Sequence, residues 1–167
     1  AVSADKPGNY NGSIYKTWGH KLRWVESERP LIYVASNYPQ SMRLAVEKAD
    51  GLMTSDFCLP LMRARIQEIY AALDVAGRPR KDFRISNFWA WHIKKDADAS
   101  WREARRELIL RGYLGEQYFQ PFLTPDELQL MREHFSDFLD AWKKGSDEIE
   151  NVPAALIEKM LDNISFV

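Results

Sequence analysis

Four short polar side chains, Ser36, Asn37, Gln40 and Ser41, gather around Pro39. Each can donate a hydrogen bond, and the residues around them read as a strand, a tight turn and the start of a helix. Such a turn carries free backbone N–H groups at the positive end of the helix dipole. That is an anion site, and phosphate is its usual occupant. The same residues have a plainer use, since Ser36 or Asn37 could simply cap the helix. Both readings stand at the level of the local sequence.

The elements that must position this turn are legible on either side of it. Leu31–Ala35 is a short run of aliphatic and aromatic residues suited to a buried strand. Pro39 suits a first helical turn, where its missing N–H costs nothing. Met42, Leu44, Ala45, Val46 and Ala49 then recur at helical spacing. Asp50-Gly51 ends the helix, and Leu52-Met53-Thr54 opens a second strand. Strand, helix and strand at these lengths make a βαβ crossover, so the two strands should be parallel neighbours.

Further along, Leu59–Leu73 has a helical apolar stripe that stops at Gly77 and Pro79. The cluster Arg78-Pro79-Arg80-Lys81 reads as a solvated loop at a helix C-terminus. Phe83–Ile93 is the strongest strand signal, with Ile85, Asn87, Trp89 and Trp91 on one face and Arg84, Ser86, Phe88, Ala90 and His92 on the other. Both faces carry bulk, so both are expected to be buried. Asn87 and His92 are either satisfied polar groups of the packed layers or residues turned toward a ligand. Asp96–Arg111 reads as a helix whose Arg/Glu alternation forms a solvated face with i,i+4 pairs. The aromatic stretch Tyr113–Leu123 is a packing surface or a substrate mouth. Thr124-Pro125-Asp126-Glu127 starts a helix expected to run to Lys144 with His134 on its surface, and Val152-Pro153 starts another before an extended Ile164–Val167. Ahead of all this, residues 1–30 read as an irregular lead-in. Asn11-Gly12 could close a hairpin there, His20 falls in a loop, and Leu22 and Trp24 are among its scattered apolar residues.

Several of these pieces match a known pattern. Tyr33-Val34-Ala35-Ser36, Pro39, Leu44-Ala45 and Ala49-Asp50-Gly51 resemble the luciferase-like flavin- and deazaflavin-dependent oxidoreductases. The upstream Asn9-Tyr10-Asn11-Gly12 followed by Tyr15 is similar to the segment that precedes the corresponding strand. Arg102–Leu108 and Gly145–Ile149 resemble the branch of coenzyme F420-dependent reductases related to methylenetetrahydromethanopterin reductase. One departure is Tyr38, which stands where the family's turn carries Gly. The resemblance implies an α/β fold, a partial (β/α)8 TIM barrel of the bacterial luciferase-like type. It implies coenzyme F420 or FMN as cofactor, with the phosphate held at Ala35, Ser36, Asn37, Gln40 and Ser41 and approached by Thr54. The implied reaction is hydride transfer between the ring and an organic small-molecule substrate. Residues facing the ring belong to earlier strands of such a barrel, so no catalytic residue is assigned.

A whole barrel of this kind takes about 250 residues. The present 167 residues, starting without Met and stopping after Phe166-Val167, are therefore expected to hold the later part of one. The division expected within this single domain is a lead-in over 1–30, a βαβαβα core over 31–112 and a helical region over 113–167. A net charge of −1 gives no basic field for nucleic acid. The single Cys58 excludes an internal disulfide and a cysteine-built metal site, and it reads as a small buried hydrophobe. No apolar run is long enough for a membrane helix, and no signal peptide pattern opens the chain. The expectation is a soluble cytoplasmic oxidoreductase, pairing with itself or with the remainder of the barrel. The competing expectation is an inactive α/β fragment or assembly module whose open sheet invites another chain.

Overall fold

The computed structural model describes residues 8–20 and 30–167. The chain divides into two compact units, residues 1–32 and 33–167. In the first, β1 (Gly8–Asn11) pairs antiparallel with β2 (Lys16–His20). The hairpin expected at Asn11-Gly12 forms around a longer loop, closed by the Gly12 N–H donating to the Tyr15 carbonyl at 3.0 Å. His20 is the last residue of β2, not a loop residue. Leu22 and Trp24 lie outside the described residues.

The second unit opens with the anticipated crossover. β3 (Tyr33–Ala35) leads into α1 (Pro39–Lys48), and β4 (Gly51–Ser55) returns parallel to β3. The strand is shorter than expected, because Leu31 and Ile32 precede it and are exposed. Next come α2 (Leu59–Val75) and β5 (Arg84–Phe88), which pairs parallel with the other edge of β4. Register sets Tyr33, Gly51 and Arg84 in one row and Ala35, Met53 and Ser86 in another.

The long strand expected over Phe83–Ile93 is broken at Trp89. β6 (Ala90–Trp91) resumes beyond it and pairs parallel with β7 (Ser165–Phe166) near the end of the chain. The break slips the alternation by one position. Trp91 turns to the exposed side while Ala90 and His92 become buried. The cause is tertiary: the Trp89 indole N–H donates to the Phe57 carbonyl at 2.7 Å, and its ring packs on Phe166 with centroids 5.0 Å apart. Pulling that side chain toward both partners takes a residue out of the pleat.

Burial on both sheet faces was expected, and only one face has it. Leu52 and Thr54 are buried and Val34, Ile85 and Asn87 half-buried toward the layer that holds α1 and α2. On the opposite face Met53 is 45% exposed and Phe88 65% exposed. Among the described residues of 33–167, no element covers that side.

The remaining segments fill the core. α3 (Ala97–Arg106) is capped by the Asp96 carboxylate, which accepts the Asp98 N–H. It stops at Arg106, short of the expected Arg111, and Leu108 and Ile109, both buried, lie in the 3₁₀ turn that follows. Its charges also pair away from the helix: Glu103 with Lys94, Arg105 with Glu158, and Arg102 with Asp96. α4 (Glu116–Phe119) follows two 3₁₀ turns. The helix expected over Thr124–Lys144 is two helices, α5 (Pro125–Glu133) and α6 (Phe135–Lys144), broken at His134. The break brings Phe138 and Ala141 into the core and leaves Phe135 and Trp142 at 40% and 43% exposure. α7 (Ala154–Ile164) delivers the chain to β7.

Arg78 illustrates a helix end capped at a distance. Its guanidinium donates to the carbonyls of Val46 and Ala49 at the C-terminus of α1, and it lies over the Phe83 ring. The cation serves the dipole of α1, not that of α2 from which it emerges.

At the start of α5 a capping box is complete. The Glu127 N–H donates to the Thr124 hydroxyl at 3.3 Å, and the Thr124 N–H donates to the Glu127 carboxylate at 2.7 Å. Lys159 of α7 also donates to that carboxylate, and this pair together with the Thr124 N–H holds the carboxyl below its ordinary value. A carboxyl with a lowered folded value stabilises above the ordinary glutamate range and loses that contribution as pH falls below it. Thr124→Ala is expected to cost about 1 kcal/mol in urea unfolding at pH 7. Glu127→Gln should flatten the loss of stability on acidification, and an unchanged acid limb would refute the assignment.

Candidate functional site

Within each of the two parallel sheets the strands point their carboxyl ends the same way, which is where ligands bind in open parallel sheets. At the end of β3 the chain turns through Ser36 to Tyr38 into α1. Tyr38 is the N-cap in an extended conformation, φ −93° and ψ 138°, and provides no side-chain cap. It therefore needs no glycine freedom, and its ring is 71% exposed, away from the core. Neither Ser36 nor Asn37 caps α1. The Ser36 hydroxyl accepts the Tyr38 N–H at 3.2 Å, and the Ser36 N–H is spent on the Met53 carbonyl of β4. The first-turn amides of Gln40 and Ser41 are left without a cap.

Asn37 points across the turn. Its Oδ1 accepts the Ser55 N–H at 2.9 Å. Its Nδ2 donates to the Ser55 carbonyl at 3.1 Å, to the Ser55 hydroxyl at 3.2 Å and to the Tyr118 phenol at 2.7 Å. One carboxamide thus ties β3 to β4 and both to α4. Thr54 faces the other way: it is 3% exposed, and its hydroxyl lies 3.1 Å from both the Ser86 carbonyl and Asn87 Oδ1. That places it in the strand–helix layer and removes it from any ligand on the open side. Ala35 ends β3 in the row of Met53 and is exposed, and Gln40 and Ser41 sit in the first turn of α1.

Asn87 is a satisfied asparagine of the same layer, donating to the Phe57 carbonyl at 2.8 Å. His92 is 3% exposed with Nδ1 3.2 Å from Glu103 Oε1. Glu103 lies below its ordinary value, first because of Lys94 at 2.5 Å and then because of His92. His92, Glu103 and Glu107 line an open hollow of about 510 Å3 together with Phe88, Trp91 and Arg111. His92, Glu103 and Glu107 bring ligand atoms within 4.8 Å of one another, but Lys94 already neutralises Glu103. Cys58 is fully buried, and burial pushes its thiol up.

A further network borders the site. Asp56, at φ 58°, follows β4 and is 7% exposed. Its carboxylate accepts the Gly112 N–H at 3.2 Å and pairs with Arg111 at 3.3 Å. Beyond that anchor Gly112, Tyr113 and Leu114 are all left-handed, and the segment leads to Tyr118. Most of the aromatic stretch is packing: Leu114, Tyr118, Phe119 and Leu123 are buried, and Tyr113 is 75% exposed. Tyr118 belongs to the aromatic stretch read as packing or substrate mouth, whereas Ser55 has no role in the sequence reading. Ser55 was reachable by counting alternate positions from Met53, whereas nothing local marks Tyr118 as a neighbour of Asn37.

Fold and site together define a segment of a parallel α/β barrel with a polar cluster at the carboxyl ends of its strands. The chain belongs to the luciferase-like monooxygenase family, whose pattern matches residues 1–156. It is 25% identical over 166 residues to the 5,10-methylenetetrahydromethanopterin reductase of Archaeoglobus fulgidus, covering 98% of this chain and 48% of that protein. Among solved structures it is similar to an F420-dependent secondary alcohol dehydrogenase bound to an F420-acetone adduct, with TM-score 0.64 and 18% identity over 99% of this chain and 44% of that one. The coenzyme F420-dependent tetrahydromethanopterin reductase of Methanopyrus kandleri gives TM-score 0.60 and 17% identity over 97% and 45% of the two chains. The chain therefore spans about half the length of these relatives and forms part of the luciferase-like TIM barrel.

Proposed function

We propose that this chain supplies the phosphate-holding part of an oxidoreductase that uses coenzyme F420 or FMN on a small organic substrate. The observation that carries the reading is the uncapped start of α1, placed at the carboxyl ends of β3 and β4 beside an exposed apolar sheet face. The residues suit a phosphoryl group: the Gln40 and Ser41 amides lack caps, and the Ser36 hydroxyl, having accepted the Tyr38 N–H, keeps its own proton to donate. The bound ring would supply the hydride chemistry. Ser36, Gln40 and Ser41 would fix its tail, while Met53 and Phe88 offer the apolar surface on which a planar ring rests. The two solved structures named above are F420-dependent enzymes, which supports F420 over FMN. Thr54, buried in the opposite layer, is dropped from the contact set.

The test is titration of the chain with F420 and with FMN, read by melting temperature and by the absorbance band of the ring. A saturable rise in melting temperature that Ser36→Ala together with Ser41→Ala weakens by about tenfold or more is expected. A chain that neither compound stabilises would refute the reading.

A second reading rests on a separate observation. Met53 and Phe88 of the three-stranded sheet are 45% and 65% exposed, and Trp91 and Phe166 of the β6–β7 pair are 66% and 50% exposed, apolar surface that suits another chain. The molar mass of the same samples by light scattering distinguishes it: an assembly that forms without either compound, and binds neither, favours the assembly module.

A further inference from the structure

We infer that Ser55 and Tyr118 are a pair of hydroxyl donors, aimed by Asn37 at an anionic oxygen of a phosphoryl-bearing ligand. This deepens the proposed function and rests on it for the identity of the ligand. The polarity of the Asn37 carboxamide is fixed by its neighbours. The Ser55 N–H can only donate, so the atom facing it at 2.9 Å is Oδ1. The remaining atom is therefore Nδ2, a donor only. At 2.7 Å from Nδ2 the Tyr118 phenol oxygen must accept, and at 3.2 Å so must the Ser55 hydroxyl oxygen. Both hydroxyls have then spent an acceptor lone pair and kept their protons. Among the described residues neither proton has an acceptor. Tyr118 is 7% exposed, where an unmet donor is costly. An oxygen with negative charge relieves that cost for both groups at once.

The placement agrees. Ser55 ends β4 two residues after the exposed Met53, and so lies on the open face by alternation. Asn37 directly precedes Tyr38, the N-cap of α1. The residue that holds both hydroxyls thus leads directly into the uncapped first turn of α1, and Tyr118 follows the segment that Asp56 anchors through Arg111 and Gly112. Hydroxyl donors with no carboxylate among them suit a phosphoryl oxygen and disfavour a cation.

The experiment compares wild type with Tyr118→Phe and Asn37→Asp, using inorganic phosphate (by phosphorus NMR line broadening) and F420 (by its absorbance band) as probes. Tyr118→Phe removes one proton and little else. Asn37→Asp accepts from both hydroxyls and turns their protons inward, loses the bond to the Ser55 carbonyl and adds a negative charge beside the anion, so Tyr118→Phe is the discriminating variant. Each should weaken phosphate and F420 roughly tenfold, with melting temperatures of the free chains reported alongside. Equal affinity for wild type and both folded variants overturns the inference while leaving the F420 reading intact. Phosphate binding that the variants weaken, with no binding of F420 or FMN, upholds the inference and removes the cofactor reading. No binding of any probe to wild type overturns both.

Discussion

Asp56→Ala is expected to destabilise the chain by about 3–5 kcal/mol, the cost of leaving one partner of a buried ion pair behind. Arg111 is 11% exposed at its side chain, and its Nε has no partner among the described residues, so the guanidinium leans on Asp56. The same carboxylate holds the Gly112 N–H. Alanine also tolerates the left-handed φ of 58° less well than aspartate does. The consequence reaches the site, because the left-handed segment after Gly112 carries Tyr118 to Asn37. A Cβ on Gly112 would fall 2.4 Å from the Tyr118 ring, which shows how closely the two pack. Urea unfolding of Asp56→Ala should therefore show the large loss, and phosphate binding should fall with it. Asp56→Asn keeps an acceptor and tolerates the backbone, so it should lose distinctly less. A loss below about 1 kcal/mol for Asp56→Ala would show that the pair carries little, as exposed pairs do.

The second large effect is expected at Gly51. Its row neighbours are Tyr33 and Arg84. An added Cβ would meet the Tyr33 ring at 2.5 Å and the Arg84 carbonyl oxygen at 2.6 Å. The ring can swing aside, but the carbonyl belongs to the backbone of β5, whose Arg84 N–H is tied to the Asp50 carbonyl at 3.1 Å. Strands β4 and β5 must move apart, and overpacking of this kind costs about 1–3 kcal/mol. That exceeds the few tenths to about 1 kcal/mol that alanine gains over glycine in the unfolded chain. Gly51→Ala should lower the melting temperature by several degrees, about 2–4 °C per kcal/mol for a chain of this size. Pairing it with Tyr33→Ala should recover only the share due to the ring. Full recovery would mean that the Arg84 carbonyl is not the obstacle.

Much of the architecture is legible along the chain because its determinants are local. Pro39 and Gly77 mark helix ends, and the Thr124-Pro125-Asp126-Glu127 box forms as its spacing demands. The crossover from β3 to β4 follows from strand, helix and strand lengths alone. Legibility fails where two local rules compete. A continuous helical pattern conceals the break at His134, since the buried Leu128, Met131, Phe138 and Ala141 keep helical spacing across it. A continuous strand pattern conceals the slip at Trp89, which distant Phe57 and Phe166 impose. The Arg/Glu alternation of α3 suggests pairs within the helix, yet its charges reach Lys94, Asp96 and Glu158.

The site divides along the same line. Sequence by itself determined that the turn after Ala35 would present polar residues at the start of a helix, because backbone geometry and Pro39 act within a few residues. It did not determine how those residues are used. Asn37 reads as a cap or as a ligand contact until Tyr118, 81 positions away, is brought against it. Thr54 and Ser55 are neighbours of similar chemistry, and only pairing of β4 between β3 and β5 turns the first into the helix layer and the second toward the open face. A hydrogen bond needs a partner at a set distance and angle, and that partner is supplied by packing of the whole chain.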